Sequence, residues 1–553
     1  MLLLAAVLAF PLIYGKKICP HDKFFTGLIG VPGVEVCDPN FYLGWGPSQA
    51  AKGHLLFEDK FNGYDMRDEG RGTRDEGKLK TQNSNTQTLK HSNTQLRRVV
   101  FNTWWLVSGS VSGFTGISVL TYNCLQRIIC SLLLALVMYC FITLFIEKPV
   151  WRMLALIFAT FSGYVAAPFP EANIFICMLW EVILPMGHIL FFITLYFGYK
   201  TLFINSEGQI TDKYLPIKTG LLALLLASVY PYAIMSTYFI FGTSGLYLVI
   251  KRKNFKNIIT SYLTIMFLSL PMVLYDFYLV ITDPRLTDGQ ATFPSMDIFT
   301  LLKGFGVLTV LALAGIYFVI KNKDHKYAFI IIWLLTTFVQ IYIPISLIPF
   351  QMQLIVGIQL PMVILGIYAM FNLFNYLKLH IINNTKSSYI TGILLFIIFF
   401  GLTSFFNIGI YADIVKNLKT YRLPVYMNIK TKEALDWLSK NTKDDELVIS
   451  APIIASYIPV LANNRVYSGD YWANTANFSE KEKNIHWLFA QDIQKTTEDM
   501  MTFLKNNGVD YIFYDEHAYL LGGEEMKATF IAIPSLHKAF DNGAVSVFKV
   551  DRK

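Results

Sequence analysis

The sequence predicts a polytopic α-helical membrane protein, about 10–12 spans with a C-terminal α/β domain. Three observations predict it. Of 553 residues, 54% are apolar and only 16% charged, with a mean hydropathy of +0.43; a soluble domain carries about a quarter charged residues. Several uncharged runs approach the roughly 20 residues that cross a bilayer. The composition turns sharply toward charge after Ala412. The net charge of +8 sits at loop ends rather than on one face, which speaks to topology and excludes nucleic acid as a partner. The six cysteines form no CxxC pair, so no metal or redox motif is offered.

The spans follow from the charge bias of their loops, because basic loops stay on the cytoplasmic side. "KRKNFK" (251–256), "KNKDHK" (321–326) and "KLHIINNTKSS" (378–388) are basic and are assigned inside. "DPRLTDGQATFPSMD" (283–297), with three acids against one Arg, and the uncharged "YIPISLIPFQMQ" (342–353) are assigned outside. The alternation gives spans near 257–280, 299–320, 326–342, 354–376 and 389–411, and leaves the C-terminus external. Upstream, 218–250 is too long for one span and is broken at Tyr230-Pro231-Tyr232, as a helical hairpin or a re-entrant helix plus a span. Spans at about 188–204, 150–168 and 128–146 precede it, with "EKPVWR" (147–152) inside. Residues 1–14 then run outward as a retained helix; a signal peptide is the alternative.

Residues 1–411 thus form the membrane domain, with a long external loop at 16–127, and 412–553 an external α/β domain. Within the loop, 64–98 is polar, repetitive and without hydrophobic period, so a disordered insert is expected. Residues 99–129 mix aromatics with Gly and Ser, as interfacial helices do. "PEANIFICMLWEVILPMGH" (170–188) has helical apolar spacing and predicts an interfacial helix ending near Pro185. In the last domain, "TKEALDWLSKNT" reads as an amphipathic helix. "DELVISAP", "NRVYSGDYW", "VDYIFYDE" and "GAVSVFKV" read as strands, and 479–508 as helical up to Gly508. Neither GxGxxG nor a P-loop occurs.

Asp38 leads the chemical candidates. It opens "DPNFYLGWGPSQ" in the first external loop, followed by Tyr42, Trp45 and Gln49. Aromatic faces and paired amide donors suit sugars, and a carboxylate beside them can act as a base on a hydroxyl. A solvated Asp-Pro turn is the bland alternative. Glu171 at a span end is otherwise a helix cap, and His188 a satisfied interfacial side chain. Asp276 falls within an apolar stretch, where an acid is costly and defaults to function unless the span ends near Tyr275. Lys303, in the re-entrant-like "LLKGFG", and Arg285 could hold a phosphate. Cys19 and Cys37 share the external loop, where a bridge and free thiols are both open.

The order of these features resembles the GT-C class of integral-membrane glycosyltransferases, most closely prokaryotic members with a C-terminal α/β domain. It rests on "D-P-x-x-Y…Q-A-x-x-G", "P-E-A-N-x-F…P-x-x-H", "Y-P-Y", "L-P-x-x-x-Y", "D-P-R", "L-K-G-F-G", "Q-x-Q…I-Q-L-P" and the external "Y-I-P-V-L-A-N-N-R-V-Y-S-G-D-Y-W". It covers most of the chain except 64–98. The resemblance implies a polyprenyl-phosphate-linked sugar as donor, an acceptor hydroxyl on a glycan, lipid or protein, transfer with inversion, and residence in the plasma membrane among its lipids. It implies Asp38 as base and Glu171 as second acid, with His188, Lys303 and Arg285 near the donor phosphate. It also implies a basic pair in the segment that reads "PFQMQLIVG", where Gln351 and Gln353 stand instead. No compact metal cluster is visible, so side-chain cations are favoured at the leaving phosphate, with a divalent ion as the alternative. Three rivals remain: a lipid-linked-sugar flippase, which predicts charges at mid-depth in several spans; a membrane scaffold whose external domain binds partners or glycans; and a degenerate transferase, given the missing basic pair and the polar insert.

Overall fold

The structure is a computed structural model that describes residues 2–28, 46–58, 60–61, 99–163, 171–180, 182–204, 212–251, 254–282, 296–343, 351–380, 385–469, 475 and 477–551. The expected insert 64–98 lies outside the described residues, as do Cys37, Asp38, Tyr42, Trp45 and Arg285.

From the N-terminus, helix α1 (Leu2–Lys17) leads to strand β1 (Lys23–Phe25). The short α2 (Pro47–Ala51) and β2 (Phe57–Glu58) follow, then β3 (Val99–Val100) and α3 (Thr103–Thr115). The bundle continues through α4 (Val119–Ile142), α5 (Pro149–Phe161), the short α6 (Ile174–Leu179) and α7 (Ile183–Tyr199). Next come α8 (Leu215–Val229), α9 (Pro231–Ile250) and α10 (Phe255–Thr282). Helices α11 (Ile298–Phe305), α12 (Val307–Asn322), α13 (Ala328–Tyr342), α14 (Gln359–His380) and α15 (Thr385–Asn417) complete it. Among the described residues, seven helical stretches are long and apolar enough to cross a membrane, or eight if the bent pair α11–α12 counts as one span. The expected higher count includes α5 and α8, which are apolar but shorter.

Local chemistry explains the breaks. Pro231 opens α9 after Tyr230, so the hairpin break falls where the sequence places it. Gly306, at φ 52°, bends α11 against α12 by 94°; a side chain would be strained at that backbone angle. Two expectations are corrected. The span expected at 128–146 begins at Val119, capped by the Ser118 hydroxyl. Its polar residues Asn123, Gln126 and Arg127 are buried in protein rather than laid on the interface. The helix expected to end near Pro185 ends at Leu179, and Pro185 lies in the first turn of α7, where a missing N–H costs nothing.

Small residues let helices approach closely, as in other membrane bundles. A Cβ on Gly315 would collide with the Leu365 carbonyl, so α12 and α14 meet at backbone distance. At one end of the bundle, Lys326 pairs with Glu147 at 3.4 Å, Lys148 lies 4.8 Å from the Phe371 ring centre, and Asn322 bonds Asn372. Those basic turns are the ones assigned to the cytoplasmic side.

The other end carries the C-terminal sheet. Strand β4 (Tyr426–Asn428) precedes α16 (Ile429–Asn441), β5 (Leu447–Ser450), α17 (Pro452–Ala455), α18 (Ile458–Leu461) and β6 (Arg465–Val466). Then follow α19 (Phe478–Phe489), α20 (Thr497–Asn506), β7 (Tyr511–Tyr514), α21 (Glu516–Ala532), β8 (Leu536–Asp541) and β9 (Ser546–Val550). The sheet order is β6-β5-β7-β9-β8, parallel through β7 and antiparallel beyond it. The helix expected across 479–508 is two helices; Thr496 and Asp499 form a capping box that starts the second.

The first loop is knitted into this region. β1 pairs antiparallel with β4, and the Val466 amide donates to the Lys60 carbonyl at 2.9 Å. The Lys60 ammonium, 3% exposed, donates to the carbonyls of Asp444 and Asn463 at 2.9 and 2.6 Å. Arg465 pairs with Glu58 at 2.6 Å, and the Ser48 hydroxyl donates to the Val460 carbonyl. The segment 29–45 therefore leaves from Leu28, packed in one of the sheet's cores, and returns at α2, bonded to α18.

Candidate active site

The site is built on the connection between α5 and α6, at the end of the bundle that faces the sheet. Glu171 lies there, 7% exposed. Its carbonyl accepts from the Gly357 amide at 3.0 Å, and its Oε1 accepts from the Tyr230 hydroxyl at 3.3 Å. Gly357, at φ 69°, has no room for a Cβ, which would stand 2.7 Å from the Phe192 ring. The turn is braced by amides. Gln359 accepts from the Ile174 amide at 2.8 Å and donates to the Ser162 carbonyl at 2.6 Å, and Asn173 donates to Asn407 across to α15 at 2.8 Å. Burial pushes the Glu171 carboxyl up to about 7, against the opposing pull of its hydrogen bonds. A carboxyl so poised changes charge near neutral pH, which suits proton exchange or the holding of a hydroxyl.

His188 is fully buried in α7, with Nδ1 2.9 Å from the Leu184 carbonyl and Nε2 3.3 Å from the Glu171 carbonyl. It therefore touches the backbone of Glu171. Gln351 donates to the carbonyls of Gln340 and Ile343, and Gln353 is half-buried in the turn that leads to Gly357. The structure thus brings together Glu171, His188 and the Gln351–Gln353 turn. Gln49 lies apart in the first loop, fully buried. Its amide donates to the Glu58 carbonyl at 2.7 Å and accepts from the Glu58 amide at 2.9 Å. Lys303 stands exposed on the last turn of α11, and the Asp297 side chain caps that helix.

Sequence reasoning missed Tyr230 as a site residue, although "Y-P-Y" marked the bend that aims it. It also missed the bracing amides, whose signal is an Asn or Gln inside an apolar run. Asp276 sits near the end of α10, with Oδ2 buried and without a hydrogen-bond partner among the described residues, and Tyr232 lies within electrostatic reach of both Glu171 and Asp276. Among the described residues no three His, Cys, Asp or Glu gather as metal ligands.

No family model matches the sequence, and no curated protein matches it. Solved structures do match. The archaeal oligosaccharyltransferase AglB from Archaeoglobus fulgidus, in complex with an inhibitory peptide and a dolichol-phosphate, superposes with a TM-score of 0.51 at 12% identity, over 98% of this chain and 73% of that one. The arabinofuranosyltransferase AftD from Mycobacteria superposes with a TM-score of 0.54 at 12% identity, over all of this chain and 40% of that one. The chain has the GT-C fold. With its apolar helices, that fold makes it a multi-pass membrane protein. The likeness runs across both the bundle and the sheet region of the chain.

Proposed function

We propose that the chain is a glycosyltransferase that moves a sugar from a polyprenyl-phosphate donor to an acceptor hydroxyl, with inversion, on the extracytoplasmic face of the plasma membrane. The observation that carries this reading is Glu171: a buried carboxyl hydrogen-bonded by Tyr230, at the sheet-facing end of a bundle with the GT-C fold. AglB was solved with a dolichol-phosphate and a peptide, which supports a lipid phosphate and an acceptor as partners.

In this reading Asp38 accepts the proton of the acceptor hydroxyl. The freed oxygen attacks the sugar C1 as the bond from C1 to the phosphate oxygen breaks, and the polyprenyl phosphate leaves with both electrons of that bond. Attack opposite the leaving group inverts C1. Tyr42 and Trp45 shape the sugar pocket, and Gln49 holds the turn behind them. Glu171, aimed by Tyr230 and steadied through its backbone by His188 and Gly357, orients the acceptor. In the same reading Arg285 and Lys303 supply positive charge to the leaving phosphate. The test is a panel of radiolabelled polyprenyl-phosphate hexoses and pentoses offered to the purified protein with glycan, lipid and peptide acceptors. Transfer from at least one donor is expected; label that stays on the lipid in every combination would remove the reading.

A further inference from the structure

The C-terminal sheet has two covered faces, because successive side chains of a strand point to opposite sides. Val448 of β5 and Tyr511 and Phe513 of β7 face one side, where they pack with α16, with Leu28 and Phe61 of the first loop and with Leu120 of α4. Leu447 and Ile449 of β5 and Ile512 and Tyr514 of β7 face the other, where they pack with α19, α20 and α21. The sheet therefore stands between the α19–α20 layer and the first loop. A groove of about 360 Å³ opens on that layer, within the roughly 300–1,000 Å³ of small-ligand sites. Asp499, Thr502, Phe503 and Asn506 line it from one face of α20, at spacings of three and four residues. Trp487 lines it from the end of α19, and Gln494 and Lys495 from the connection between the two helices.

The charged groups of the groove are spent on the protein itself. The Lys495 ammonium donates to the carbonyls of Trp487 and Ala490, both at 2.5 Å. The Asp499 carboxylate accepts from the amide and the hydroxyl of Thr496 at 3.1 and 2.6 Å, which caps α20. The rim is neutral: the amides of Gln494 and Asn506 and the hydroxyl of Thr502 stand exposed. Beside them Phe503 is set edge-on against the half-buried Trp487, with ring centres 5.4 Å apart. A flat apolar ring next to neutral groups that both donate and accept suits a sugar, whose C–H face stacks and whose hydroxyls do the same. A phosphate or carboxylate calls for a cation aimed at it, and Lys495 is turned to backbone carbonyls. An extended peptide calls for an open sheet edge, and the wall here is a helix. Since the sheet separates the groove from the first loop, a sugar held here is not the one whose hydroxyl meets the Asp38 segment. It belongs further along the same chain.

We propose that the α19–α20 groove binds a sugar residue of a glycan acceptor, further along the chain than the residue that receives the new sugar. The proposal rests on the glycosyl-transfer reading and selects a glycan over a lipid or a peptide as acceptor; the binding itself is tested without turnover. Full-length wild-type protein, Trp487→Ala and the double variant Thr502→Ala, Asn506→Ala are titrated with neutral hexasaccharides of glucose, mannose, galactose and arabinose, and with a neutral hexapeptide. Binding is followed by tryptophan fluorescence and by saturation-transfer NMR. The wild type is expected to bind at least one hexasaccharide, with affinity falling about 10-fold in each variant, the loss of a ring contact or of one to two hydrogen bonds. Thr502 and Asn506 are exposed, so the double variant decides if Trp487→Ala does not fold. No saccharide bound by the wild type, or equal binding by wild type and double variant, overturns the proposal, as does saturation by the hexapeptide alone. In transfer assays the double variant should raise KM for a long glycan acceptor about 10-fold with kcat unchanged. An unchanged KM there overturns the acceptor role. Binding that depends on Thr502 and Asn506 in a protein that transfers no sugar removes the function proposed above and leaves the groove a glycan site.

Discussion

At the scale of residues, Glu171 gives the sharpest test. Its carboxyl is raised by burial to about 7, so the ionised form becomes the major one only above that pH. The buried carboxyl favours the folded state fully below its ordinary value of 4.5; that contribution is lost as the pH rises from there to about 7, and stability then levels off because both states are ionised. If orientation of the acceptor needs the carboxylate, kcat/KM should rise with pH through an apparent pKa near 7. Glu171→Gln should flatten that limb while the protein still folds, because the amide oxygen can accept from Tyr230. A limb that survives the substitution unchanged would assign the titration to another group. This residue was legible in the sequence as an acid after a proline at a span end, but its burial was not. Burial comes from Gly357 and the Gln359–Asn173–Asn407 brace, which unite segments almost 240 residues apart along the chain. The burial of Arg127 was hidden for the converse reason: it falls within 99–129, whose mix of aromatics with Gly and Ser reads as interfacial, and only the packing of α6 and Gly27 over it makes it interior.

At the scale of elements, hydropathy and charge bias were enough to find the bundle, the Tyr230 break and most strands of the C-terminal region. They misplaced the starts of α4 and α7, because a buried polar face and an exposed one have the same composition. They also missed α21 and β8, whose patterns are weak: β8 is mostly exposed, and α21 carries Gly522 and Gly523, the latter out of helical geometry. One pairing has a direct consequence. β2 and β3 are antiparallel, with Phe57 opposite Val100 and Glu58 opposite Val99, so the chain departs and returns at neighbouring points. Replacing 64–98 by a short Gly-Ser linker should therefore leave gel-filtration behaviour and unfolding temperature unchanged. An aggregated or destabilised product would mean that the deleted residues pack against the rest. The β2–β3 ladder was not visible beforehand, since two-residue strands leave no periodicity to read.

At the scale of the whole molecule, the basic turns gathered around Glu147, Lys148 and Lys326 mark one end of the bundle, and the sheet region marks the other. By the positive-inside rule we propose that the sheet end is extracytoplasmic. A reporter fused after residue 551 should be active only outside the cytoplasm; activity of a cytoplasmic reporter there would invert the proposed face and every role assigned to it. The knitting of residues 23–28 and 46–61 into the sheet region means that the Asp38 segment is anchored at both ends by the C-terminal part of the chain. Sequence alone gave that part as a separate unit, because contacts across some 400 residues leave no local trace. The most direct measurement is the release of polyprenyl phosphate from a synthetic polyprenyl-phosphate sugar in the presence of acceptor, comparing the wild type with Asp38→Asn. Loss of a catalytic base costs about 10²–10⁴-fold in turnover, so release should fall by that order while donor binding and expression persist. Undiminished release by Asp38→Asn, in a wild type that demonstrably turns over, would contradict the assignment of the base and with it the mechanism built on this loop.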